Sequence, residues 1–257
     1  SDDSEEGRHK LPLSTRLIKE MHKILLDNVR GKTKTPGEFK SEQNYIGSLN
    51  EITFTPLPPE LTPDYMSNLE NYIHYDEVDL LIQAALIHCQ FEMIHPFKDG
   101  NGRIGRLLIP LFLYYRDMLP VPTFYMSAFF EKDRNLYLQK LSAVSKNNDY
   151  TTWIKYFLEG VIEQAEINTI KARAMLDRYN EFKDVCISDM SSKYSIMLLD
   201  EIFKKPAFKA KQLQDVVPGS KGTLYNMLDE FVSKGILQKD EKARNATYFC
   251  PAILTLL

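Results

Sequence analysis

A chain of 257 residues with 44% hydrophobic and 11% aromatic side chains can bury a large core, so wholesale disorder is excluded and one large or two smaller domains are expected. The net charge of −3 gives no global basic field of the kind that nucleic acid attracts, and any such role would need a local patch. Cys89, Cys186 and Cys250 are odd in number, far apart and without CxxC or Cys/His ligand spacing, which argues against a disulfide framework or a zinc site and fits a reducing compartment.

In chain order, the start Ser1 to Lys10 is polar and acidic, reads as a solvated terminus, and has no apolar signal-peptide core. Apolar residues at Leu13, Leu17, Ile18, Met21, Ile24 and Leu25 predict an amphipathic helix over 11–26, with Ser14 and Thr15 as caps. Thr35-Pro36-Gly37 is a turn signal, and the stretches around Phe39, Tyr45-Ile46 and Ile52-Thr53-Phe54 predict a short β-hairpin with an extended loop before Pro56, Pro58 and Pro59. A helix is predicted over 63–75. A second, from about Asp76, carries a stripe of Val78, Leu81, Ile82, Ala85, Leu86, Cys89 and Met93 and ends near His95-Pro96, because proline disfavours the helical conformation at the residue before it. The helix 103–118 follows a loop. Its longest apolar run, Leu107 to Tyr115, contains Pro110 and is far shorter than the ~20 residues of a membrane span, so a cytoplasmic protein without membrane association is expected. Further helical patterns cover 131–145 and 151–179, and the aromatic series from Phe112 to Phe130 reads as core packing.

The C-terminal part, 191–257, reads as a separate module after a domain spanning 1–190. Three short helical patterns, 194–203, 209–217 and 220–234, precede two strand-like segments around Gly235 to Leu237 and Ala246 to Cys250, which is winged helix-turn-helix order. From Lys193 to Leu257 ten Lys/Arg face seven Asp/Glu, but the recognition-helix position carries Asp229 and Glu230 beside Lys221 and Lys234. DNA binding and protein docking or homodimerisation both remain open for it.

The chemistry concentrates in His95-Pro96-Phe97-Lys98-Asp99-Gly100-Asn101-Gly102-Arg103-Ile104-Gly105-Arg106. A helix end, a glycine-flanked loop and a new helix start leave backbone N–H groups of Gly100 to Arg103 pointing outward, which makes an anion site suited to phosphate. Asn101 can donate an amide hydrogen bond, and Arg103 and Arg106, three residues apart, can reach the same side of a polyphosphate. Asp99 supplies a hard oxygen ligand of the kind that holds Mg²⁺ jointly with phosphate. His95 is the adjacent group with a pKa suited to taking a hydroxyl proton near neutrality. His88 and Cys89 read as packed core residues, and His9, His22 and His74 carry less support still as ligands.

This stretch matches the Fic family signature HxFx(D/E)GNGRxxR at every defined position. Pro36 to Phe39 with Gln43 to Gly47, the approach His88 to Phe97, and Arg134 to Tyr137 also resemble that family, over roughly residues 11–165. The resemblance implies a mainly α fold, a Fic helical core with a small β-hairpin flap, followed here by the winged helix-turn-helix module. It implies an Mg²⁺-dependent protein adenylyltransferase that moves AMP from ATP to a Ser, Thr or Tyr hydroxyl, with His95 as base and Asp99 holding Mg²⁺. Gly100, Asn101, Gly102, Arg103 and Arg106 would bind the phosphates, Phe97 would anchor the loop, and Tyr45, Ile46, Gly47 and Tyr137 would border the nucleotide. The target protein would dock as an added strand along the flap, Lys40 to Gly47, where many relatives have arginine in place of Lys40. Transfer of UMP or phosphate by the same fold, or a nucleotide-sensing DNA-binding regulator, are the alternatives. The family's inhibitory pattern (S/T)xxxE(G/N) fails at Glu6-Gly7, because Asp2 stands where Ser or Thr is required.

Overall fold

A computed structural model of the chain describes residues 11–27, 35–48, 51–240 and 246–256. The acidic start with His9, Glu6 and Gly7, and much of the charged stretch 238–245, lie outside them. The protein is mainly helical, and the chain divides into two compact units, Ser1–Ala165 and Glu166–Leu257.

The first unit begins with α1 (Thr15–Asp27), whose buried positions Ile18, His22 and Leu26 form one stripe at helical spacing. Ile24, predicted on the apolar face, points to solvent at 63% exposure. The predicted hairpin is present as β1 (Ile46–Ser48) and β2 (Glu51–Phe54), antiparallel, with Ile46 opposite Phe54 and a register shift between Ile46 and Gly47. A 3-10 turn at Pro59–Leu61 leads into α2 (Thr62–Ile73).

The long helix α3 (Leu80–Ile94) starts later than predicted. The Asp79 side chain accepts hydrogen bonds from the N–H groups of Leu81 and Ile82 at 2.8 and 3.1 Å, so Asp79 caps the helix and leaves Val78, assigned by spacing to the core stripe, fully exposed. It packs most extensively against α4 (Asn101–Tyr115), which carries Pro110 in its interior. Then come α5 (Ser127–Lys132), α6 (Arg134–Asn147) and α7 (Tyr150–Asp189), the last a 40-residue helix.

One core joins α1 to α6 with the first turns of α7. Phe91, Phe97, Ile104, Leu108, Phe112, Phe130, Trp153 and Phe157 are all within 1% of full burial. Each such side chain contributes about 1.5–3 kcal/mol through its removal from water. The Trp153 indole N–H donates to the Ala85 carbonyl at 2.8 Å and fixes α7 on α3.

The second unit takes in the C-terminal half of α7, so the unit boundary falls inside a helix and not at 190/191. The reason is packing: Phe182 and Cys186 of α7 are buried in this unit's own core with Leu198, Leu199, Phe208, Leu228 and Phe231. Its order is α8 (Ser195–Lys204), β3 (Ala207–Lys209), a 3-10 turn at Ala210–Leu213, α9 (Lys221–Ser233), β4 (Gln238–Asp240), β5 (Thr247–Phe249) and α10 (Pro251–Leu254). The strands form one antiparallel sheet in the order β3-β5-β4. The segment 209–217, predicted helical, is a strand end and a 3-10 turn, because Ala207 to Lys209 pair with Thr247 to Phe249. All three cysteines are free thiols and buried. Among the described residues no helix is long and apolar enough to cross a membrane.

Candidate active site

The site is built where α3 stops and α4 starts. His95 is the C-cap of α3 in the left-handed conformation, φ 50°, and Pro96 enforces the break. Gly100 occupies the N-cap of α4 at φ 83°, a conformation open to glycine, and no side chain caps the helix. The first N–H groups of α4, at Asn101, Gly102 and Arg103, therefore face outward as donors at the positive end of the helix dipole.

The loop between the helices is held from all sides. Phe97 is fully buried, and the His22 ring stacks on it at 3.8 Å with the planes 7° apart. His22 Nδ1 accepts from the Gly37 N–H at 2.9 Å, so Nε2 carries the proton and donates to the Asp99 carbonyl at 2.9 Å. On the other side, the base of the flap satisfies carbonyls that the end of α3 would otherwise leave open. Lys40 Nζ donates to Ile94 O (3.1 Å) and to Asn44 Oδ1 (2.8 Å), and the Lys40 N–H donates to Pro96 O (2.8 Å). Asn44 Nδ2 donates to His95 O (3.2 Å) and Phe97 O (3.0 Å). Burial pushes the Lys40 ammonium down to about 8.

Asn101 closes the loop from within. Its Oδ1 accepts from the Phe97 N–H at 2.8 Å and its Nδ2 donates to Phe97 O at 2.6 Å, with the side chain buried. The amide expected to reach a phosphate is spent on the loop's own backbone, so Asn101 can meet an anion through its main-chain N–H. The Asp99 carboxylate accepts from the Gly100 N–H at 2.7 Å at the mouth of the same loop.

His95 Nδ1 faces the Glu92 carbonyl at 3.3 Å. A carbonyl only accepts, so Nδ1 carries the ring proton and Nε2 is left with the lone pair of a base. Burial, opposed by that hydrogen bond, pushes the ring down to about 4, with Lys40 lowering it further and Asp99 raising it. His95 is neutral at physiological pH, as a proton acceptor must be.

The Arg106 guanidinium folds back over Gly102, where a Cβ would lie 3.3 Å from its terminal nitrogen, and sits 3.7 Å from the Glu131 carboxylate. Arg103 is exposed on the same turn of α4. The structure thus brings His95, Asp99, Gly100, Gly102 and Arg106 to one helix start. Tyr45, 58% exposed, with Ile46 and Gly47 of β1, follows directly on the flap base that Asn44 fastens to that loop. The two-stranded flap sheet has no further strand among the described residues.

Tyr137 is a correction. It is 7% exposed within an aromatic cluster of Phe130, Trp153 and His88, and its hydroxyl lies 3.0 Å from His88 Nε2, so it does not border a nucleotide. His88 Nδ1 donates to the Gly105 carbonyl at 2.9 Å, which leaves Nε2 to accept from Tyr137. His88 is the packed core histidine that its place on α3 implied, and burial pushes it down to about 4.

These neutral histidines set a pH dependence. The unfolded chain protonates His88 and His95 below about 6.5, while the folded protein does so only near 4; Glu92, raised to about 7 by burial, offsets one of the two protons. The contribution of these histidines is therefore full above about pH 6.5 and is lost as pH drops toward 4. The expected slope is about 1 kcal/mol per pH unit around pH 5–6, measured as a falling urea midpoint, and a flat midpoint from pH 7 to 5 would contradict it.

Sequence reasoning weighed His22 only as a weakly supported ligand and gave Asn44 and Glu92, inside the segments it singled out, no role of their own. His22 was detectable as the middle of the buried stripe Ile18-His22-Leu26. A cleft of about 630 Å³ between α2 and α3, lined by Tyr65, Tyr72, Gln90 and Tyr150 among others, is separate from the motif, none of whose side chains lines it.

This constellation places His95 at a helix end, one loop before an uncapped helix start that carries two arginines, and residues 12–113 match the Fic/DOC family. The chain is 32% identical over 93 residues to a probable protein adenylyltransferase of Aquifex aeolicus, covering 36% of this chain and 28% of that protein. It is 31% identical over 107 residues to a protein adenylyltransferase of Caenorhabditis elegans, covering 40% of this chain and 20% of that one. A match to the protein adenylyltransferase of Drosophila mojavensis, 33% over 118 residues, covers 44% and 22%. The chain thus spans well under a third of the length of these curated relatives. The crystal structure of a Fic family protein from Desulfovibrio desulfuricans aligns with a TM-score of 0.54 at 17% identity, over 92% of this chain and 68% of that one, and shares its fold.

Proposed function

We propose that the protein is a protein adenylyltransferase, moving AMP from ATP to a hydroxyl side chain of a target protein. The observation that carries this reading is the place of His95, the C-cap of α3 one loop before the uncapped start of α4, with Nδ1 turned to the Glu92 carbonyl so that Nε2 keeps the lone pair. In the step proposed, Nε2 takes the proton of the target hydroxyl as its oxygen bonds to the α-phosphorus of ATP. The bond from that phosphorus to the β-bridging oxygen breaks, and pyrophosphate leaves. The N–H groups of Asn101, Gly102 and Arg103 and the guanidinium groups of Arg103 and Arg106 balance the phosphate charge, with catalysis resting on position and electrostatics.

Among the described residues no cluster of three His, Cys, Asp or Glu side chains could hold a metal unaided. The donor set instead fits Mg²⁺ shared between Asp99 and phosphate oxygens, since this ion favours one or two carboxylates with substrate phosphates. Bound there, it would neutralise charge on the phosphates. The flap, fastened at Lys40 and Asn44 and with an open backbone edge, suits a target segment added as a strand.

The test is incubation with Mg²⁺, lysate and ATP labelled at the α-phosphate. Label on a protein band supports AMP transfer, whereas transfer of a γ-label alone makes the protein a kinase and overturns the reading. Arg103→Ala should weaken ATP binding by about 10-fold or more, as loss of a charge-assisted contact implies, measured by titration calorimetry. Unchanged affinity would remove Arg103 from the nucleotide site.

A further inference from the structure

One buried group beside His95 is unaccounted for by this reading. Glu92, one turn before His95 on α3, is 7% exposed, and its Oε1 is fully buried without a hydrogen-bond partner. A buried carboxyl in that condition costs stability, so its presence calls for a role. Its second oxygen, Oε2, lies 3.7 Å from His95 Nδ1, on the same side of the ring as the Glu92 carbonyl that already accepts from Nδ1. The carboxyl reaches this place because position 105 is glycine: a Cβ there would collide with Glu92 Oε1 and crowd the Phe91 ring.

We propose that Glu92 is a positioning residue for His95, its carboxylate fixing the ring with Nδ1–H inward and stabilising the imidazolium that forms when Nε2 accepts a proton. The catalytic use of this pair rests on the function proposed above, but the pair itself does not. No covalent chemistry is asked of Glu92. The oxygen near Nδ1 supplies negative charge where positive charge develops, in a site where water does not screen it.

The groups facing Glu92 are Cys89 on its own helix, Gly105 and Arg106 on α4, Tyr137 on α6, and His95; facing His95 are also Lys40 of the flap base and Asp99 of the loop. Burial raises the Glu92 carboxyl to about 7 and Arg106 lowers it, so the carboxylate forms across the neutral range. A raised acid is protonated below that value, so the support it gives His95 is lost as pH falls below about 7 and present above it.

Two measurements test this. The first needs no nucleotide: ¹⁵N spectra of the His95 ring in the intact chain should show the Nδ1–H tautomer and an inflection near pH 7, from Glu92, separate from ring protonation near 4. In Glu92→Gln that inflection should vanish and ring protonation should move lower still. A wild-type ring without an inflection near pH 7 overturns the proposal, whether or not any variant folds. The second is transfer kinetics, where Glu92→Gln should lower kcat roughly 10- to 100-fold with KM for ATP unchanged and should flatten the pH profile between 6 and 8. Glu92→Asp should restore part of the rate and the inflection. If the wild type transfers no AMP, the proposed function fails while the spectra still decide the pair. If it transfers AMP and Glu92→Gln keeps the wild-type rate and profile, the positioning role fails alone.

Discussion

His95→Ala is expected to lower AMP transfer by roughly 10²–10⁴-fold while leaving ATP affinity unchanged. The nucleotide contacts proposed here are made by main-chain N–H groups and arginines of α4, none of which touches the His95 ring. The His95 side chain is 18% exposed and, among the described residues, bonded only through its own helix, to Glu92, so its removal leaves the anchors of the loop, Phe97, Asn44 and Asn101, in place. The measurement is single-turnover transfer of α-labelled AMP beside calorimetric ATP binding. A variant that binds ATP normally and transfers at the wild-type rate would remove His95 as the base. One that loses ATP binding would make it a nucleotide ligand instead.

The candidate motif was legible because its residues are contiguous: Pro96, Gly100 and Gly102 dictate a helix end and a helix start almost without tertiary help, with Arg103 and Arg106 on the new helix. The groups that hold it were not, since their partners are distant in sequence. His22 meets Asp99 from 77 residues away and Asn44 meets Phe97 from 53, and a local pattern carries no trace of either contact. Tyr137 was misassigned for a similar reason. Its place in the chain resembles a nucleotide-lining position, but the rings of Phe130 and Trp153 and the His88 nitrogen enclose it. The segment 209–217 failed as a helix because its strand partner, Thr247 to Phe249, lies far downstream, where pairing overrides local propensity. Val78 failed through a one-residue effect, the cap at Asp79.

Asn101→Ala should loosen the loop while sparing the arginines. It deletes both hydrogen bonds to Phe97 and strands a buried N–H, at a cost of about 2–3 kcal/mol. Phe97 O retains Asn44 as a donor, so the loss falls mainly on the N–H side. The thermal unfolding midpoint of the first unit should shift down by roughly 5–10 °C. With the loop no longer closed on itself, the first N–H groups of α4 lose their common aim, and ATP affinity should fall with the melting temperature. Lys98→Ala provides the control within the same loop. Its side chain is half exposed and its ammonium pairs at the surface, 3.6 Å from Glu42, so both readouts should stay at wild-type values. The two readouts separate structure from ligation: if Asn101→Ala melts like the wild type but no longer binds ATP, the amide acts on the nucleotide directly, and the closed loop seen here gives way when ATP enters.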